Sequence, residues 1–154
     1  MSDKNLLDSP DILREIIMDH YQYPRNHTLV ENNPKYKLKH MASDSCIDDI
    51  TVQSDIEDCV IKDVRFDGVA CTISTSSTSV MTELLKGKTI PEAKKIIHEY
   101  LNMADGKEYD ADLLDEAVIM KNVYKQPNRI KCATTAWHAM EDMINESEEE
   151  SCKK

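Results

Sequence analysis

Apolar residues recur at helical spacing near the start of the chain, where Ile12, Leu13, Ile16 and Ile17 share one face. Asp8 or Ser9 supplies the N-cap, Pro10 stands at the first helical position, and the helix should stop before Pro24. From Tyr36 to Phe66 the period shortens to two. The segments "YKLKHM", "DITVQS" and "VIKDVRF" alternate β-branched with polar residues between turn-like breaks, which predicts three antiparallel strands. Beyond Gly68 the helical period returns with Ile73, Val80, Met81, Leu84 and Leu85, and Gly87 fits the C′ position. Thr89 and Glu92 form a capping box that opens the next helix, with Ile96, Ile97, Tyr100 and Leu101 as its buried stripe. A shorter helix is expected over 112–124 and a last one over 130–144, with Ala133, Trp137 and Met140 facing inward. The closing "NESEEESCKK" is too polar to bury a face and reads as a disordered tail.

The order predicts an α+β fold, a small three-stranded antiparallel sheet with helices packed on one face. The chain divides into an N-terminal lead (1–9), one domain (10–145) and an acidic tail (146–154), and it contains no internal repeat.

Charge narrows the function classes. Nineteen basic against 29 acidic residues give a net charge of −10, which repels nucleic-acid phosphates and anionic membrane surfaces. No stretch approaches the roughly 18–20 apolar residues that span a bilayer, and the N-terminus lacks a basic region followed by an apolar one. The expectation is a cytoplasmic protein with neither nucleic acid nor membrane as partner. Five cysteines, at 46, 59, 71, 132 and 152, make a disulfide framework the weaker interpretation in such a chain. There is no CxxC pair, so any metal site must be assembled from distant segments.

Cys46 precedes the second strand, Cys71 lies between the third strand and a helix, and Cys132 falls in the expected first turn of the last helix. Thiols near helix N-termini face unpaired N–H groups, which favour the thiolate, and Arg129 and Lys131 place positive charge just before Cys132. If the three thiolates converge, Asp48 is the natural fourth ligand of a tetrahedral zinc site with formal charge −2. Against this, a single cysteine is most often a small buried hydrophobe. Cys59 fits that description, Cys152 reads as an exposed thiol in the tail, and the spacings of 25 and 61 residues identify no metal site by themselves. His20 reads most simply as a helix C-terminal stabiliser.

Four blocks in order resemble the SufU branch of the SufU/IscU (NifU N-terminal-like) iron–sulfur cluster assembly family. They are "IIMDHYQYPRNH" at 16–27, Cys46 with Asp48, "FDGVACTISTSS" at 66–77 and "RIKCATTAW" at 129–137. Two features favour the SufU branch: Lys131 stands where the IscU type has histidine, and the segment between the second and third cysteines is long. The resemblance implies a zinc-dependent sulfur acceptor working with a pyridoxal-phosphate cysteine desulfurase and passing sulfur to downstream iron–sulfur assembly proteins. It implies that Cys46, Asp48, Cys71 and Cys132 hold the metal. A histidine of the desulfurase would displace Cys46, which then attacks the donor's persulfide while Arg129 steadies the freed thiolate. The alternatives are a scaffold carrying Fe2+ or a [2Fe–2S] cluster on the same three cysteines, and a structural zinc module that binds a protein. The sequence departs from the family at Ile47 and Ala70, both glycine there, and the first loop is expected to be stiffened or reshaped as a result.

Overall fold

The structure, a computed structural model, describes residues 9–42 and 47–151. Helix α1 spans Pro10–Gln22, with Ser9 in extended N-cap conformation and Pro10 in the first turn. Strands β1 (Tyr36–Ala42), β2 (Asp49–Glu57) and β3 (Val60–Val69) follow, then α2 (Thr72–Leu85), α3 (Ile90–Ala104), the short α4 (Ala111–Leu114) and α5 (Pro127–Ser151). Two 3₁₀ turns, Asp115–Met120 and Val123–Lys125, lie between α4 and α5.

The strands form the expected meander, antiparallel in the order β1-β2-β3. Alternation decides which face carries the core. Ile50, Val52 and Ser54 of β2, beside Phe66 and Val64 of β3, are buried under α2 and α5. The opposite face meets the α1–β1 connection. There Gln53 is buried, its amide bonded in both directions to the Val30 backbone at 2.7 Å, and Arg65 Nε donates to the Thr28 carbonyl at 2.7 Å.

Thr89 caps α3 with the anticipated reciprocal bonds to Glu92, and Gly87 takes a φ of 88° just past α2. That turn also covers part of the sheet edge. Ile61 N–H donates to the Lys88 carbonyl and Gly87 N–H to the Ile61 carbonyl.

Three expectations are corrected. The helix predicted over 112–124 is broken, because Asp115 adopts a φ of 48° and ends α4 after one turn. The last helix starts at Pro127, earlier than residue 130, since proline suits a first turn whose N–H groups are unbonded in any case. It also continues through residue 151, so 146–151 are helical instead of a disordered tail. Ser147 is buried there, and Glu148 accepts from Lys94 at 2.8 Å. Residues 152–154, and 1–8 of the lead, lie outside the described residues. Among the described residues no helix is long and apolar enough to cross a membrane.

Candidate metal centre

Asp48, Cys71 and Cys132 meet where β2 begins, α2 begins and α5 passes. One ligand atom from each lies within 4.8 Å of the others. Each arrives by a local device. Cys71 is the N-cap of α2: its backbone is extended, and its sulfur accepts from Ser74 N–H at 3.4 Å. Asp48 is 2% exposed and ties the start of β2 to that cap, Oδ1 accepting from Cys71 N–H at 2.9 Å. Cys132 projects from α5 into the same space at 4% exposure.

The centre leaves polar capacity unused. Asp48 Oδ2 is buried with no hydrogen-bond partner, and so is Ser74 Oγ one turn into α2. A buried carboxylate oxygen without a donor is expensive unless something cationic completes it. Ligand atoms of a tetrahedral zinc–thiolate site lie about 3.8 Å apart, so the atoms here, all within 4.8 Å of one another, would close up by at most about 1 Å around an ion. Two sulfurs and a carboxylate are also a donor set that zinc accepts. The residues present therefore fit the metal.

In the protein alone, electrostatics oppose the thiolate that a metal would need. Burial pushes the Cys132 thiol up to about 12, and the neighbouring Cys71 and Asp48 add to the rise. The expectation that a helix N-terminus would favour its thiolate is corrected: with α5 starting at Pro127, Cys132 sits in the second turn, beyond the free N–H groups. Lys131 and Arg129, which precede it in sequence, are both exposed.

The remaining sequence candidates separate. Cys46 lies outside the described residues. Arg129 sits in the first turn of α5, three residues before Cys132, with no ion pair among the described residues. It borders a groove of about 410 Å³ that also reaches Thr72 and Ile73, the residues after Cys71. Cys59 is half-buried with a φ of 63° and is disulfide-bonded, which corrects its reading as a plain buried hydrophobe. His20, read as a helix-end stabiliser, is buried between Ser79 and Glu116 instead of capping carbonyls.

A sequence profile described as NifU-like N terminal domain matches residues 12–133. The chain belongs to the NifU-like N-terminal domain family. Among its relatives, the zinc-dependent sulfurtransferase SufU of Bacillus subtilis (strain 168) is 35% identical over 138 residues, 89% of this chain and 92% of that protein. The iron-sulfur cluster assembly scaffold protein IscU of Streptococcus pyogenes serotype M1 is 34% identical over 133 residues, covering 86% and 82%. Among solved structures, the putative iron-sulfur cluster assembly scaffold protein for the SUF system from Fervidobacterium islandicum AW-1 superposes with a TM-score of 0.77 at 33% identity. That match covers 92% of this chain and 97% of the other.

Within this family frame, the two glycine replacements cause no backbone strain. Ile47 and Ala70 are both absent from the residues at positive φ; Ile47 is 64% exposed and Ala70 packs against the core. The demanding position is Gly68, which the sequence reading treated only as a boundary. At a φ of 133° it lies so close to β2 that a Cβ would stand 2.1 Å from the Asp49 carbonyl oxygen. Close approach of β3 to β2 at this point holds Asp48 over the cap of α2.

Proposed function

We propose that this protein works in iron–sulfur cluster assembly as a zinc-dependent sulfurtransferase, accepting sulfur from a cysteine desulfurase onto Cys46. What carries the reading is the buried, partnerless Asp48 Oδ2 beside two thiols, on a chain whose relatives include a zinc-dependent sulfurtransferase. Cys46, two residues before Asp48 in sequence, is the fourth ligand and the nucleophile. The metal, when bound, keeps the thiols ionised at neutral pH.

This chain's own residues do the rest. The Cys71 N–H aims the Asp48 carboxylate by holding Oδ1, which leaves Oδ2 for the ion. Burial of Cys132 and Asp48 excludes water from one side of the centre. The Cys46 thiolate attacks the outer sulfur of the donor's cysteine persulfide. The donor S–S bond breaks, its cysteine leaves as a thiolate, and the new persulfide rests on Cys46. Arg129, exposed and free of ion pairs among the described residues, supplies the cation that steadies this anion. The pyridoxal-phosphate desulfurase is a separate protein, the sulfur then passes to downstream iron–sulfur assembly proteins, and the setting is the cytoplasm.

The test pairs the purified protein with a cysteine desulfurase and follows alanine release together with the mass of each thiol-bearing peptide. Wild type is expected to stimulate turnover and carry one extra sulfur on Cys46. Cys46→Ala is expected to do neither, and retention of both would overturn the reading. A second reading, a [2Fe–2S] scaffold on the same cysteines, draws on the relatives named as scaffold proteins. Tightly bound colourless zinc supports the transferase; stable visible iron–sulfur bands after reconstitution support the scaffold.

A further inference from the structure

Ser77 of α2 and Tyr100 of α3 converge on one backbone carbonyl, that of Ala133, the residue after Cys132, and Trp137 of α5 joins them through Ser77. Trp137 Nε1–H donates to Ser77 Oγ at 2.9 Å. Ser77 Oγ and the Tyr100 hydroxyl each lie 2.7 Å from the Ala133 oxygen and 2.9 Å from each other. The Tyr100 and Trp137 rings stack with centroids 3.7 Å apart and planes at 7°. All four residues are buried.

Proton counting orders the group. Indole nitrogen only donates, so Ser77 Oγ must accept from Trp137. The two hydroxyls own one proton each. Either both hydroxyls donate to the carbonyl, whose two lone pairs can accept them, or one donates to the other, which donates on to the carbonyl. Every order ends on the Ala133 carbonyl, so three helices are tied to the backbone immediately beside Cys132.

We propose that this buried hub is a positioning device for the metal centre, setting the depth and rotation of the Cys132 segment of α5 against the Cys71 end of α2. The inference rests on the metal-binding reading above. Ser77 is six residues along α2 from the Cys71 cap, less than two turns of continuous helix. The circuit from Cys71 through α2 to Ser77, across to Ala133 and back to Cys132 is short and contains no loop. Apolar contacts alone tolerate sliding and repacking between helices. Directed hydrogen bonds to a carbonyl fix both register and rotation, and so present two thiols already spaced for one ion.

The experiment compares wild type with Tyr100→Phe and Ser77→Ala, using Ile61→Val, a buried change elsewhere in the core, as the control for lost stability. Zinc affinity is read by competition with a chelator, and site geometry by the d–d and thiolate charge-transfer bands of the cobalt-substituted protein; no sulfur donor is present. Both hub variants are expected to bind zinc about tenfold more weakly, with altered cobalt d–d bands, as supporting bonds behind metal ligands usually do. Ile61→Val is expected to stay within about twofold of wild type, with unchanged bands. Tyr100→Phe keeps the ring and removes only the hydroxyl, so it decides the matter if Ser77→Ala fails to fold. Hub variants that match Ile61→Val in affinity and spectrum overturn this inference alone. Wild-type protein that takes up cobalt without thiolate bands overturns the metal reading and this inference with it.

Discussion

From Thr75 to Thr82 the buried hydroxyls of α2 all find partners, whereas in its first turn Ser74 Oγ finds none, although the Ser74 N–H reaches the Cys71 sulfur. Thr75, Ser76, Thr78 and Thr82 return their protons to carbonyls of their own helix or its entry. Ser77 joins the hub at Ala133, and Ser79 joins a second knot. In that knot His20 Nδ1 lies 2.7 Å from Ser79 Oγ, which also accepts from Arg25 N–H at 2.9 Å, and His20 Nε2–H donates to Glu116 at 2.6 Å. A carboxylate only accepts, so the Nε2 proton is assigned by its partner. One helix thus has a middle whose buried hydroxyls are satisfied within the protein and a first turn in which one, that of Ser74, is not. Satisfied polar networks make a core specific; an unsatisfied buried group calls for an explanation, and here the two thiols beside Asp48 Oδ2 point to an ion.

Asp48 tests the open end most strongly. Four ligands share an apparent zinc affinity of about 10–16 kcal/mol, so one of them accounts for roughly 3 kcal/mol, about a hundredfold. Asp48→Asn is expected to lose at least that much zinc affinity while leaving metal-free stability unchanged or higher. Its amide oxygen still accepts from Cys71 N–H, and a buried charge has gone. Asp48→Ala is expected to lose the affinity and also about 1–3 kcal/mol of metal-free stability, because the Cys71 N–H is left unpaired. Chelator competition and urea unfolding of the metal-free protein separate these. Equal destabilisation by both changes would make Asp48 a structural cap and erase the contrast.

The satisfied end predicts the reverse pattern. Ser79→Ala strands the Arg25 N–H and the His20 ring, and is expected to lower stability by about 1–3 kcal/mol with zinc affinity unchanged. The same knot has a pH signature. The hydrogen bond from His20 holds the Glu116 carboxyl below its ordinary 4.5, outweighing the desolvation that opposes it. A lowered carboxyl contributes stability that is present above that ordinary value and is lost as pH falls through the lower folded one. Urea midpoints from about pH 3 to about pH 7 should therefore fall more gently on the acid side in Glu116→Gln than in wild type.

The contrast was only partly legible in the sequence. Period-two alternation in "DITVQS" and "VIKDVRF" placed the second and third strands, and the Thr89–Glu92 spacing placed a helix start, because both signals are local. Cys71 was legible for the same reason: it sits where a strand ends and a helix begins. Cys132 was placed in the right helix but the wrong turn, since Pro127 pulls the start of α5 forward and burial then governs the thiol. "STSSTS" lies inside the helix that the Ile73 to Leu85 spacing predicts, but the partners that take up the hydroxyls of Ser77 and Ser79, namely Tyr100, Trp137 and His20, come from distant segments and leave no local signal. Gly68 was missed because its requirement comes from the neighbouring strand's carbonyl, not from its own turn.

Ser74 offers the smallest effect and the finest test of the contrast. Its backbone N–H holds the Cys71 sulfur whatever the side chain is, so Ser74→Ala keeps that bond and removes only the buried hydroxyl. Alanine is the better helix former and leaves nothing unpaired, so metal-free stability is expected to rise by up to about 1 kcal/mol. Zinc affinity is expected to stay within about twofold if the hydroxyl is simply tolerated beside the centre. A gain in stability accompanied by a clear loss of affinity would mean that Ser74 Oγ is left without a partner in the metal-free protein because its acceptor is the Cys71 thiolate of the loaded one. The first turn of α2 would then be as fully satisfied as its middle, but only with the ion bound.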